Sequence, residues 1–209
     1  IDRLTKSKEA IDAAFKIDAE LPDAYLALGN YYYLGFLDYT KALEKLGIAE
    51  EKLMNNPECI FLKANIYRRA GKWSLSKENY LKAYKLDPGS PQIIHSFAVT
   101  FSLLGEYQEA ETYFNKAISI NPMFTEAIWQ KSFMYQKWKG NTIESRATIE
   151  EAYKINEDIS DPRILEQNVL LDIYGGHYQK ALTDLSLKDY DIIDSQFYIN
   201  LKSLLFARV

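Results

Sequence analysis

Residues 91–121, PQIIHSFAVTFSLLGEYQEAETYFNKAISIN, hold two helical patterns back to back. Ile94, Phe97, Ala98 and Phe101 recur at three- and four-residue steps and mark one face of a first helix, which Gly105 ends by accepting a left-handed backbone. Tyr107, Ala110, Phe114, Ala117 and Ile120 form the stripe of a second helix, stopped by Asn121-Pro122. Two helices joined by about three residues must run antiparallel, and the small side chains of Ala98 and Ala110 let their backbones approach closely. A hairpin of this size cannot bury both faces alone, so further hairpins must stack on it.

The rest of the chain supplies them. Gly35, Gly71, Gly105, Gly140 and Gly176 repeat at 34 to 36 residues, and Ser7, Ala42, Ser76, Ala110, Ser145 and Ala181 keep the same beat. Ala14, Ala49, Ala83, Ala117 and Ala152 follow seven residues behind. All six prolines fall between apolar stripes, where a missing amide donor breaks no helix. Every apolar series has a helical period, so no strand is expected.

This pattern resembles the tetratricopeptide repeat. Ala64, Tyr67, Gly71, Trp73, Tyr80, Ala83 and Pro88 stand at that family's small, aromatic, glycine and proline positions, and Phe97, Ala98, Phe101, Gly105, Tyr107, Ala110, Phe114, Ala117 and Pro122 match it again. The expectation is an all-α, right-handed α-solenoid of antiparallel helical hairpins with about twelve helices. A lone second helix lies in 1–21, repeats in 22–56, 57–90, 91–124, 125–160 and 161–192, and a terminal helix in 193–209. The first repeat is expected to carry extra residues between its helices and a longer second helix. The fifth is degenerate, with Lys188 where Ala is expected and an irregular run Lys188-Asp189-Tyr190-Asp191. Phe197, Leu201, Leu204 and Leu205 stripe the terminal helix and suggest self-association through the terminal helices. A chain that opens Ile1-Asp2-Arg3 reads as a fragment of a longer protein.

Composition narrows the function classes. A net charge of -4 gives no broad cationic field, which disfavours nucleic acid. The uncharged stretches 24–37 and 90–105 fall short of a membrane span, so no membrane insertion is expected. One cysteine, Cys59, permits no internal disulfide, and a cytoplasmic location follows as the default. Phosphate-cradling glycine loops, nucleophile elbows and paired metal-ligand histidines are absent from the sequence. His95 and His177 are about 80 residues apart and with Cys59 make a poor zinc set. Cys59 reads as a packing residue, and carboxylate pairs such as Glu50-Glu51 and Glu150-Glu151 read as solvated faces. No catalytic residue, metal or cofactor is therefore assigned.

What remains is a groove. In the resembled family the first helix of each hairpin lines the concave surface, and the helical period places three rows there. Leu26, Phe61, His95, Trp129 and Glu166 form one, Asn30, Asn65, Val99, Phe133 and Leu170 the next, and Tyr33, Arg68, Ser102, Gln136 and Ile173 the third. Phe61, Trp129 and Phe133 are expected as apolar anchors, and Asn30 and Asn65 as backbone-binding amides. Arg68, Arg69 and Lys137 are expected to meet acidic side chains of a partner, with one of the two consecutive arginines facing the groove. The carboxylate clamp of chaperone-tail binders is not matched, because Leu26, Leu62, Gln92 and Ser96 occupy its other positions and only Asn30 fits. These residues read as a scaffold that binds a protein or peptide partner. The order of Tyr31-Tyr32-Tyr33, Asp38 to Ala42 and Arg68 to Trp73 resembles the C-terminal arrays of bacterial multidomain signalling proteins, which implies a sensory or assembly arm. The alternatives are an RNA-binding helical repeat, or the regulatory domain of an upstream catalytic module such as a nucleotide cyclase.

Overall fold

The computed structural model of the chain describes residues 2–155, 161–187 and 203. Among these the structure is helical throughout, with α1 (Asp2–Ile17), α2 (Pro22–Phe36), α3 (Tyr39–Lys52), α4 (Pro57–Arg69), α5 (Trp73–Leu86), α6 (Pro91–Leu103), α7 (Tyr107–Ile120), α8 (Thr125–Lys139), α9 (Ile143–Ile155), α10 (Pro162–Tyr174) and α11 (Tyr178–Leu187). The expected terminal helix of 193–209, with Phe197, Leu201, Leu204 and Leu205, and the connection Lys188–Asp191 lie outside the described residues, Ser203 apart.

The chain forms two compact units, Ile1–Leu104 with α1 to α6 and Gly105–Val209 with α7 to α11. In the first unit α2 and α3 form one hairpin and α4 and α5 a second, α1 packs on α2, and α6 packs on α5 and α4. In the second unit α8 pairs with α9 and α10 with α11, while α7 packs on α8, and α10 reaches both α8 and α9. This is the all-α hairpin-repeat architecture expected from the two interleaved small-residue series.

Those small residues set the packing. Ala42, Ser76, Ala110, Ser145 and Ala181 are fully buried, and so are Ala49, Ala83 and Ala117. Where serine replaces alanine its hydroxyl is satisfied inside the hairpin. Ser76 Oγ donates to the Ala64 carbonyl at 3.0 Å, and Ser132 Oγ and Ser145 Oγ lie 2.6 Å apart. Ser7, at the same beat in α1, is exposed.

Helix starts follow from local chemistry. Pro22, Pro57, Pro91 and Pro162 occupy the first turn, where no amide donor is needed. Asn56, Ser90 and Asp161 cap three of these helices through their side chains. At the stops, Gly71, Gly105, Gly140 and Gly176 all have φ between 66° and 77°, as expected of left-handed caps.

Gly35 departs from its series. It lies inside α2, where a Cβ would meet Leu4 Cδ2 at 2.6 Å, and Leu37 takes the left-handed turn at φ 54°. The extra residues of this repeat therefore lengthen α2 and displace the cap. The expected lengthening of the second helix is not found: α3 spans 14 residues, as α5 and α7 do, and Leu53 to Asn56 turn through Asn55 at φ 61°.

In the second unit a buried carboxylate ties three helices. Asp172 on α10, 1% exposed, faces Arg146 Nη1 of α9 at 2.9 Å and Lys180 Nζ of α11 at 2.7 Å. Two cations on one buried carboxylate offset its desolvation, where one charge alone would not.

Gly29 in α2 marks a close approach of α2 to α3. A Cβ there would stand 2.7 Å from Leu46 Cγ and 3.2 Å from the Ala42 carbonyl oxygen. Gly29→Ala gains up to about 1 kcal/mol of helix propensity but must push α3 away, and overpacking costs about 1–3 kcal/mol. The expected outcome is a net loss of stability in thermal or urea unfolding, against unchanged or improved stability for Gly47→Ala, where an added Cβ meets nothing within 4 Å.

Candidate functional site

The predicted groove residues divide into those consumed by the fold and those left at the surface. Leu26 and Tyr33 are buried in the first unit's core with Ala42, Leu46, Ala49, Leu62 and Ile66. They hold α2 against α3 and α4, so neither presents the free surface expected of it. Phe61 is half-buried against Ile60, Ala83 and Ile93, its ring 6.1 Å from that of Tyr80. Part of the ring expected as an apolar anchor is therefore spent on the core. His95 lies half-buried on α6.

Asn65 is corrected as well. It is 8% exposed, and its Oδ1 accepts from the Tyr80 hydroxyl at 2.6 Å and from Arg68 Nη2 at 3.3 Å. Arg68 Nη1 donates to the Ser96 carbonyl at 3.1 Å, and the guanidinium lies 5.7 Å from the Tyr80 ring. Asn65, Arg68 and Tyr80 thus form one network joining α4, α5 and α6. Burial of the Tyr80 phenol pushes its pKa up to about 12, so it stays a neutral donor. Asn30 is half-buried, and its Oδ1 is shielded from solvent without a hydrogen-bond donor among the described residues. Of the two arginines, Arg69 is the exposed one, 5.6 Å from the Tyr33 ring.

The second unit arranges its predicted residues differently. Trp129 and Phe133, one turn apart on α8, stack with centroids 6.2 Å apart and planes 12° from parallel. Trp129 is half-buried beside the core of Ile128, Ile149, Ala152, Ile164 and Leu171, while Phe133 remains 37% exposed. Cations close both ends of the stack. Lys137 Nζ lies 4.4 Å from the Phe133 centroid and the Arg163 guanidinium 5.7 Å from that of Trp129. Arg163 is fixed by Asp161, at 2.8 Å from Nη2 and 3.1 Å from Nε, and by an ion pair with Glu126. Asp161 in turn accepts from the Thr125 hydroxyl at 2.6 Å.

Sequence reasoning missed Arg163. A signal was present, since it stands one turn before Glu166 in the outermost row and directly follows the helix-starting Pro162.

The residues weighed for chemistry sit in inert settings. Cys59 is fully buried, its Sγ donates to the Leu46 carbonyl at 3.2 Å, and burial pushes its thiol pKa up to about 11. Among the described residues no group of three His, Cys, Asp or Glu side chains could hold a metal ion. No helix among them is long and apolar enough to cross a membrane.

Removing Asn65 takes the Oδ1 acceptor from the buried Tyr80 hydroxyl and one of two acceptors from the Arg68 guanidinium. Asn65→Ala should therefore destabilise the fold by about 1–3 kcal/mol. Tyr80→Phe should cost less, and the double variant should fall short of the summed single effects, measured as a double-mutant cycle by urea unfolding.

The tetratricopeptide repeat family model matches residues 57–90 and 91–122. No curated protein matches the sequence closely enough to count as a relative. Among solved structures, the fold is similar to pilF of Pseudomonas aeruginosa, 18% identical over 89% of this chain and 83% of that one, with a TM-score of 0.73. It is similar to a tetratricopeptide repeat protein of Parabacteroides merdae, 18% identical over 90% and 73%, TM-score 0.67. YrrB, described as a TPR protein with an unusual peptide-binding site, is 18% identical over 80% and 86%, TM-score 0.59. Residues 57–122 thus carry two tetratricopeptide repeats, and most of the chain shares the fold of solved tetratricopeptide repeat proteins.

Proposed function

We propose that this chain is a non-catalytic binding scaffold whose first-of-hairpin helices hold a peptide or protein partner, and that α8 carries the main contact. The observation behind this is the Trp129–Phe133 stack, rigid on the Arg163 side and open on the Lys137 side. A preorganised aromatic pair with one exposed ring loses little entropy on binding, and such residues dominate peptide interfaces. Lys137 makes no ion pair among the described residues, so it can meet an acidic side chain while the ring takes an apolar one. Arg69 offers the same pairing on the first unit, over the ring of Tyr33, which stands three residues after the half-buried Asn30 on α2. The partner that suits these features is an extended or helical segment alternating acidic and apolar residues.

The biological setting follows the resemblance noted above: an assembly or sensory arm of a bacterial signalling protein, working in the cytoplasm, its partner a protein. The likeness to YrrB, whose description names a peptide-binding site, supports a peptide ligand here.

Selection from a random peptide display library on the native chain tests the reading. Selected peptides should be enriched in Asp or Glu beside Leu, Ile or aromatic residues. Phe133→Ala and Trp129→Ala should each weaken them by about thirtyfold, roughly 2 kcal/mol, as expected for hot spots. Lys137→Glu should weaken acidic peptides and spare neutral ones. Peptides that bind all three variants as tightly as the parent would refute the site.

A further inference from the structure

Position by position, the second unit repeats a motif of the first, keeps its central lysine and changes the two residues around it. In the first unit Glu50, one residue after Ala49 on α3, pairs with Lys63 on α4 and lies 3.3 Å from Lys82 on α5, one residue before Ala83. Three helices are joined there by one carboxylate and two ammonium groups. The equivalent positions of the second unit are Ile118, one residue after Ala117 on α7, Lys131 on α8, and Glu151, one residue before Ala152 on α9. Lys131 follows Thr125 by the same six residues that separate Lys63 from Pro57. The lysine is retained, but isoleucine stands where its carboxylate would be.

A cavity occupies the place of that lost interaction. It opens to solvent, has a volume of about 520 Å³, and is lined by Asn115, Ile118, Ile128, Lys131, Glu151 and Ile155 among others. Lys131 is half-buried there and makes no ion pair within 4 Å among the described residues; its one partner is the Tyr135 ring, 5.8 Å from Nζ. Glu111 is already engaged by the Tyr135 hydroxyl, and Glu151, exposed, lines the same cavity without coming within 4 Å of Lys131. The two lysines accordingly titrate in opposite directions. Burial lowers the pKa of Lys131, and the charges of Glu151 and Glu111 do not restore it. Burial also acts to lower that of Lys63, but the hydrogen bond and charge of Glu50 outweigh it and the net shift is upward.

From the register and the cavity we infer that the pocket between α7, α8 and α9 is a second binding site, which takes a peptide carboxylate beside an aliphatic side chain. The carboxylate pairs with Lys131 where Glu50 pairs with Lys63, with the exposed Asn115 amide in reach of the same wall as a further donor. The aliphatic group fills the space between Ile118, Ile128 and Ile155. Lys131 lies two residues from both Trp129 and Phe133, about 200° around the helix, so this site faces away from the aromatic stack and does not depend on it.

The test uses the whole chain and three probes: acetyl-Leu-Asp-Leu-amide and its Asn and Lys counterparts, titrated to millimolar concentration and followed by amide chemical shifts. The Asp peptide should bind at least about tenfold more tightly than the other two. Its largest shifts should fall at Ile118, Ile128, Lys131 and Ala152. Lys131→Met should abolish the preference for Asp, and it should melt no lower than the parent because a poorly solvated charge is removed. Ile118→Glu, which rebuilds the first unit's pairing within the chain, should abolish Asp binding while raising the melting temperature. Both variants should leave peptides selected on the Trp129–Phe133 face unaffected. Equal binding of the Asp, Asn and Lys peptides, shifts centred elsewhere, or no binding by any probe would overturn the proposal, as would unaltered Asp binding by either variant.

Discussion

The fold rests on the close approach of two helices at a position where only a hydrogen, a methyl or a hydroxymethyl fits. Ala42, Ser76, Ser145 and Ala181 are each fully buried in the second helix of a hairpin, and Gly29 and Ala64 answer two of them from the first helix. The approach brings polar groups within reach of the facing helix, which is why serine is accepted at this position: the Ser76 hydroxyl finds the Ala64 carbonyl, and that of Ser145 the Ser132 hydroxyl. Because this contact fixes the separation and rotation of the pair, every other side chain in the hairpin inherits its direction from it. The caps are secondary. Gly71, Gly140 and Gly176 turn the chain where the pair ends, but Leu37 does the same for α2 at some cost in backbone strain.

A fixed frame makes single exchanges informative. Most repeat proteins vary at many positions at once, and a change in one side chain rarely has a clean reference. Here Lys63 and Lys131 share a helix position, a degree of burial and flanking helices, and differ in what those helices present, Glu50 and Lys82 against Ile118 and Glu151. The first unit uses the site to join three helices. The second leaves a cavity with a cation at its floor, so one position serves internal cohesion in one unit and is open to a ligand in the other. Cohesion in the second unit comes from elsewhere: Asp172, absent from the first unit's pattern, gathers Arg146 and Lys180 from the neighbouring helices.

How far the sequence could be read depended on what each feature responds to. The helices, the hairpins and the buried small residues answer to local periodicity and were legible from Ala42, Ser76, Ala110 and Gly71 alone. The row assignment was weaker because a helical wheel gives direction without giving distance to the next hairpin. Asn65 does face the direction expected, yet Tyr80 from α5 and Arg68 from its own helix reach it first. Leu26 and Tyr33 likewise point toward α4 and are covered by it, since the first unit packs its tyrosines and leucines tightly at that end. Trp129 was read as a surface anchor and proves half core, half platform. Arg163 was passed over because its value lies in a cross-hairpin contact with Trp129 that no spacing within one helix announces.

The charge of α8 explains how an acidic chain can offer two anion-seeking faces. The helix carries Lys131, Lys137 and Lys139 against one carboxylate, Glu126, while the whole chain has a net charge of -4. Each lysine lies over an aromatic ring of its own helix, Tyr135, Phe133 and Trp138 respectively, and none is closed into an ion pair among the described residues. The distinction matters because a carboxylate neutralises an ammonium group and spends it, whereas a ring face steadies the side chain and leaves the charge in place. Glu126 itself is taken by Arg163 from α10, so even the helix's one acid is diverted from its lysines. The result is a cationic, aromatic helix within an acidic molecule, with the two kinds of anchor on opposite sides. Net charge discouraged a search for anion binding, but recognition depends on the field within a Debye length of the contact, about 8 Å in physiological salt, and that field is set by α8 and not by the sum over the chain.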